Sequence, residues 1–183
     1  VTSSIKIGCR VFCIDYHNPV VLTKSAMTID MLSGGRLEFG LGAGWIKSEY
    51  EAVDIPFDEP RVRIDRLADV IEGIKAFRGD GQVSVKNATI NWQEFEGLPK
   101  PISKPPIMIG GGSPRILRLA GREADIVSLN FNNRAGAIGP DGVQLSTEAE
   151  TVKKLGWIRE GAGDRFDQLE IEIGAYFTVV VDD

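Results

Sequence analysis

Three times along this chain a proline opens an amphipathic stretch: at Asn18-Pro19, Glu59-Pro60 and Ser113-Pro114. Proline suits the first helical position because the N–H it lacks would find no partner there. Apolar runs of strand length lie between these helix starts. Strand followed by helix, repeated with mostly short connections, requires parallel strands joined by right-handed crossovers.

The elements follow from local pattern. Residues 5–12 read as a strand, and a helix then runs through Val20, Leu22, Ala26, Ile29 and Leu32 to Ser33-Gly34-Gly35. Leu37, Phe39 and Leu41 alternate with Glu38, Gly40 and Gly42, the two-residue period of a strand over 36–42. A loop is expected next. After Pro60, the helical spacing of Ile64, Leu67, Ile71, Ile74 and Phe77 ends at Gly79-Asp80-Gly81. Residues 82–104 read as a hairpin-like surface excursion, with Val83 and Val85 on one arm and Ile90 and Trp92 on the other. Strands are expected at 106–110 and 125–129, with a helix after Pro114 between them. A long Asn- and Gly-rich loop covers 130–145. Thr147-x-x-Glu150 is a capping box for a helix ending near Gly161 or Gly163. The last strand is expected at 170–180.

Five strands in 183 residues fit either an open doubly wound sheet or a barrel lacking some of its units. A complete (β/α)8 barrel takes about 250 residues. The whole chain is read as one domain, and its start at Val1 together with the strand count points to a fragment.

Bulk properties exclude several classes. The net charge of −5 offers no basic patch for nucleic acid or an anionic membrane surface. There is neither a long unbroken apolar run nor a signal-peptide pattern, so a cytoplasmic protein is expected. Cys9, Cys13 and His17 form Cys-x3-Cys-x3-His, but a structural zinc site needs four ligands and the chain has no other Cys or His. No metal is expected.

In a parallel α/β fold the functional end is the carboxyl end of the strands. Three sequences there stand out. Gly40-Leu41-Gly42-Ala43-Gly44-Trp45 has alternating glycines, read either as close approach of a ligand to the backbone or as close packing of strand against neighbour. The aromatic that follows favours the ligand. Gly110-Gly111-Gly112-Ser113-Pro114-Arg115 feeds a glycine turn into a helix start, where free N–H groups and the helix dipole attract phosphate. Arg115 would add a charged fork, and the competing reading is a turn capped by Ser113. It is neither a dinucleotide fingerprint nor a Walker loop. The third is Cys9-Arg10-Val11-Phe12 with His17 just beyond. His17 is a candidate acid or base, or simply a turn residue.

Asp65, Asp69 and Glu72 read as a solvated helix face. Trp92, Trp157, Tyr176 and Phe177 read as core. Hydrolase chemistry has no Gly-x-Ser-x-Gly elbow to support it.

Three segments, in order, resemble one family. They are Ile5–Val11 through His17-Asn18-Pro19; Thr28-Ile29-Asp30-Met31-Leu32-Ser33-Gly34-Gly35-Arg36-Leu37; and Gly40 to Trp45. With Pro105-Pro106-Ile107-Met108-Ile109-Gly110-Gly111-Gly112 and Ala124-Asp125, they resemble the luciferase-like monooxygenase superfamily, and within it the coenzyme F420-dependent oxidoreductases. The stretch Leu155 to Asp167 adds to that likeness.

The resemblance implies a (β/α)8 barrel of the bacterial-luciferase type, here incomplete and covering about strands three to seven. It implies coenzyme F420, or alternatively FMN. A non-proline cis peptide at Arg10–Val11 would support the cofactor ring. Gly42, Ala43 and Gly44, with Ser48 and Glu49, would lie near the cofactor, and Gly111 and Gly112 would contact its phosphate. A small-molecule substrate and a homodimeric full-length protein are implied as well. Relatives that oxidise glucose 6-phosphate carry an acid where this chain has Trp45, which removes support for that chemistry. A barrel fragment without activity is the competing reading, as is a phosphate-binding barrel of another family.

Overall fold

The computed structural model describes residues 2–131 and 147–174. Its main sheet is parallel throughout. β1 (Ile7–Gly8) and β2 (Phe12–Cys13) both pair with β3 (Leu37–Gly42). Then come β6 (Ile107–Gly111), β7 (Ile126–Leu129) and β8 (Glu170–Ile173) in spatial succession. The intervening β4 (Val83–Lys86) and β5 (Asn91–Phe95) form a separate antiparallel hairpin. Among the described residues, β1 and β8 are the edges of the sheet.

The strand expected over 5–12 is therefore two short strands. Gly8 aligns with Glu38 and Phe12 with Leu41, so four steps on one strand face three on the other. That extra residue is a bulge, and it takes Cys9, Arg10 and Val11 out of the ladder. The Arg10–Val11 peptide within it is cis.

Helices flank the sheet. α1 (Pro19–Ser33) is capped by Asn18, whose side chain accepts from Val20 N, and closes on Gly34 in the left-handed region at φ 72°. The loop expected after residue 42 contains a short helix, α2 (Lys47–Ala52), anchored by the buried Tyr50. Its polar run Lys47-Ser48-Glu49 hides the helical period from a sequence reading. α3 (Pro60–Phe77) and α4 (Pro114–Glu123) start at the expected prolines. α5 (Glu148–Ala162) is capped by Thr147, which accepts from Glu150 N at 3.3 Å. The core lies between helices and sheet: Phe39, Leu41, Ile107, Ile109 and Val127 meet Met27, Leu67, Ile74 and Leu117.

Two further contacts set the frame. α4 and α5 touch backbone to backbone, because a Cβ on Gly121 would stand 2.2 Å from Ile158 O and one on Gly161 would stand 2.1 Å from Arg118 O. Arg165 donates to the carbonyls of Gly121, Arg122 and Ala124 at 2.6–2.9 Å, satisfying the open end of α4. Asp65, Asp69 and Glu72 face outward as expected. Asp69 accepts from Thr89 Oγ1 at 2.7 Å and Glu72 from Asn87 Nδ2 at 3.0 Å, so two of them fasten the hairpin. Trp92 and Trp157 are partly buried against the core. Tyr176, Phe177, the end of the expected last strand and most of the 130–145 loop lie outside the described residues.

Candidate functional site

The bulged segment and the carboxyl ends of β3, β6 and β7 enclose a cleft of about 950 Å³. That is ample for a cofactor-sized ligand. Every residue singled out for cofactor binding lines it: Arg10, Val11, Gly42, Ala43, Gly44, Gly110, Gly111, Gly112, Ser113 and Arg115. His17, Trp45 and Glu49 line it too. Ser48 is exposed on α2 and is not among the lining residues.

Val11 is the floor. A Cβ on Gly42 would fall 2.6 Å from Val11 Cγ2, and one on Gly110 would fall 3.3 Å from Val11 Cγ1. The glycines are thus needed by the chain's own packing, the close-packing alternative of the sequence reading, and they line the cleft as well. Gly111 and Gly112 behave alike: a Cβ there would meet Ile116 Cγ2 at 2.3 Å and Phe131 O at 2.3 Å. At Gly44, φ is 68° and a Cβ would stand 1.9 Å from Tyr50 Oη, so both conformation and space demand glycine.

The expected anion site lies at the start of α4, on the wall of the cleft. Ser113 occupies the N-cap position in extended conformation, yet its side chain makes no capping hydrogen bond. The capped-turn alternative is therefore not what the structure adopts, and the first-turn residues Pro114, Arg115 and Ile116 line the cleft beside Gly112. Arg115 is engaged elsewhere: its guanidinium pairs with Asp65 on α3. His17 packs its ring edge-on against Phe12, with centroids 5.6 Å apart, and the described residues give it no carboxylate partner.

A network beneath the cleft escaped the sequence reading. The Tyr50 hydroxyl donates to Asp15 Oδ2 at 2.8 Å and lies 3.1 Å from Cys13 Sγ. Arg66 bridges Asp15, at 2.7 Å, and Asp58. Burial first, then the bonds to Cys13 and Asp15, drives Tyr50 well above the ordinary tyrosine range, and burial pushes the Cys13 thiol up as well. Both stay protonated at neutral pH, so the network is a fixed support. Arg63 is 5% exposed and donates to three backbone carbonyls, those of Asp58, Ala43 and Gly44. Its guanidinium lies over the Phe57 ring, 4.2 Å from the centroid. Only the Arg-x-x-Arg spacing of Arg63 and Arg66 near a helix start hints at either role.

A curled parallel sheet with outer helices and a glycine-lined cleft at the strand carboxyl ends defines an α/β protein of the (β/α)-barrel class. The chain belongs to the luciferase-like monooxygenase family, whose sequence profile matches residues 1–183. It is 29% identical over 161 residues to an F420-dependent glucose-6-phosphate dehydrogenase of Kineococcus radiotolerans, covering 87% of this chain and 44% of that protein. It is 30% identical over 121 residues to an FMNH2-dependent dimethylsulfone monooxygenase of Pseudomonas putida, covering 65% of this chain and 33% of the other. The solved structure of an F420-dependent secondary alcohol dehydrogenase in complex with an F420-acetone adduct superposes with a TM-score of 0.72 at 20% identity, over 92% of this chain and 48% of that one. The chain thus spans half or less of the length of these relatives, which are oxidoreductases. Among the described residues, no helix is long and apolar enough to cross a membrane.

Proposed function

We propose that the cleft holds the phosphate-bearing cofactor of a luciferase-like oxidoreductase, with coenzyme F420 as the leading assignment and FMN as the alternative. The observation that carries this reading is the start of α4. Its first turn follows the Gly110–Gly112 turn, lacks a side-chain cap and lines the cleft. Clustered N–H donors at a helix start fit a phosphate without needing a lysine. The ring would lie on the shelf made by Val11 with Gly42, Ala43 and Gly44, and Arg10 would flank it.

Bound there, a deazaflavin supplies hydride transfer with a small-molecule substrate, whereas reduced FMN supplies reaction with oxygen. The chain's part is to seat the phosphate, present a flat apolar face to the ring and keep the supporting network protonated. Relatives named for both cofactors share this family, so the likeness supports the site more than the choice between them. Trp45 in the cleft, where the sugar-phosphate oxidising relatives carry an acid, supports a different substrate from theirs.

The test is fluorescence titration with F420 and with FMN, on the parent and on Ser113→Asp. An aspartate at the N-cap would bind the free amides and repel a phosphate. It should leave thermal stability unchanged or raised while weakening cofactor binding at least tenfold. Equal binding by both proteins removes the phosphate assignment. Binding of neither cofactor by the parent favours a barrel fragment without activity. Oxygen consumption with each reduced cofactor then separates the two chemistries.

A further inference from the structure

Trp45 is the tryptophan that the core does not use. Trp92 and Trp157 pack against the core, whereas Trp45 belongs to no core cluster. It is half-buried and lines the cleft. Among the described residues its indole meets no other ring and makes no hydrogen bond. A large aromatic left out of the core beside a concave site marks a surface for a ligand. The backbone that carries it is fixed: Gly44 stands in the left-handed region at φ 68°, and Arg63 Nη1 bonds the Ala43 carbonyl at 2.9 Å and that of Gly44.

A second observation falls beside it. Tyr16 and His17, just past β2, line the same cleft. β2 pairs with β3 so that Cys13 is level with Gly42, and a Cβ on Gly44 would stand 2.8 Å from Cys13 Sγ. Three rings thus gather at the carboxyl ends of two adjacent strands. Two of them are braced. The Tyr16 ring lies 5.0 Å from that of Tyr50 and its hydroxyl donates to Glu49 at 3.4 Å, while His17 rests edge-on against Phe12. β6, which leads to the glycine turn and α4, joins β3 on its other side. The rings and the start of α4 therefore flank β3 from opposite sides.

Charge at the cleft points the same way. Each lining arginine is engaged: Arg10 with Glu172, Arg61 and Arg115 with Asp65, Arg118 with Glu160, and Arg63 with three carbonyls and the Phe57 ring. The two lining carboxylates, Glu49 beside the rings and Glu59 at the start of α3, oppose a second anion.

We infer that Trp45, with Tyr16 and His17, forms the substrate wall of the cleft and takes a flat, uncharged aromatic ring. This rests on reading the cleft as a site shared by cofactor and substrate. Stacked and edge-to-face ring pairs add to what burial alone contributes, and they reward a planar partner over a saturated one of the same skeleton. The indole N–H, which no protein group uses, is left to bond an oxygen on the edge of that ring. Where the sugar-phosphate oxidising relatives carry an acid, this chain presents a ring face instead.

The probes are 2-naphthol, its saturated counterpart decahydro-2-naphthol, 2-naphthoate and 2-naphthylmethylamine, titrated by calorimetry into the chain alone and with F420 or FMN present. The parent should bind 2-naphthol about tenfold more tightly than the saturated alcohol. Trp45→Leu should remove that preference and Trp45→Phe should keep most of it. Nitrogen-15 NMR reads the wall without relying on the stability of a variant: the Trp45 indole N–H signal should shift on adding 2-naphthol, and those of Trp92 and Trp157 should stay. No planar preference, a preference unchanged in Trp45→Leu, or shifts at Trp92 or Trp157 in place of Trp45 overturns the wall. Displacement of 2-naphthol by the cofactor also overturns it, since the ring would then be on the cofactor's own shelf. Tighter binding of the naphthoate or of the amine overturns the uncharged assignment. A planar preference at Trp45 without binding of either cofactor would leave the wall standing and remove the cofactor reading, and cofactor binding without that preference would do the reverse.

Discussion

The Arg10 guanidinium lies across the curl of the sheet from its own strand, with Nη2 2.7 Å and Nε 3.0 Å from the hydroxyl of the fully buried Ser128 on β7. It also pairs with Glu172 on β8. One side chain from the bulge beside β2 thereby links the two sides of the cleft. The bulge makes this possible, since a regular strand would have kept Arg10 in the ladder's alternation.

Ser128→Ala should therefore cost about 1 kcal/mol, because the Glu172 pair remains to hold Arg10. Replacing Arg10 with Met leaves both partners unsatisfied and should cost more, about 2 kcal/mol. Urea unfolding of each variant and of the double variant measures the coupling. Strictly additive losses would show that the contact is not shared.

Asp30 makes a comparable fastening on the outer face. Fully buried on α1, its carboxylate accepts from Ile102 N at 3.0 Å, Ser103 N at 2.9 Å and Ser103 Oγ at 2.7 Å. It pins the segment that returns from the hairpin to β6. Asp30→Asn puts an amide donor among donors, so a loss of about 2–3 kcal/mol is expected. Thermal unfolding with a midpoint like that of the parent would refute this.

The alkaline limb of stability has a definite sign. Burial raises the Cys13 thiol in the folded chain, so the folded state holds its proton more tightly than the unfolded state. The stability this contributes is full below the unfolded pKa, about 8.5, and is lost as pH rises through the higher folded value. Stability should therefore fall from about pH 8.5 upward. Cys13→Ser keeps a hydroxyl near Tyr50 and should flatten the start of that fall. Denaturant midpoints across pH 7 to 11 decide it, and a parent whose stability rises over that range contradicts it.

Much of the architecture was legible because it depends on local pattern. Pro19, Pro60 and Pro114 mark helix starts whatever lies around them, and the alternation at Leu37–Gly42 names a strand. The bulge at Cys9–Val11 was not legible, since its cause is a register relation to β3 that a single strand's sequence does not contain. The helix at Lys47–Ala52 was missed because one buried residue, Tyr50, anchors it and a single anchor sets no period. At the site, the residues lining the cleft were placed by their position at strand ends. The supporting residues Arg63 and Arg66 are far from Asp15 in sequence, and all three look like surface charges until the fold joins them. The glycines were the instructive case: their presence was informative, but their packing partners, such as Val11 and Ile116, are not contained in the local pattern.

That packing can be tested by contrasting two glycines. A Cβ at Gly112 would lie 2.3 Å from Phe131 O and 2.4 Å from Asn130 O, both backbone atoms that no rotamer change can move aside. Gly156 sits inside α5 with nothing within 4 Å of the corresponding Cβ. Gly112→Ala should destabilise by about 2–3 kcal/mol through overpacking. Gly156→Ala should stabilise by about 0.5–1 kcal/mol, because alanine loses less backbone freedom in a helix. The same contrast bears on the cofactor. A Gly112 variant that binds poorly also folds poorly, so Gly112→Asp cannot by itself locate a phosphate, whereas Ser113→Asp at the uncapped start of α4 can. Equilibrium unfolding of the two alanine variants gives the answer: if Gly112→Ala is as stable as the parent, the turn has room and packing does not explain that glycine.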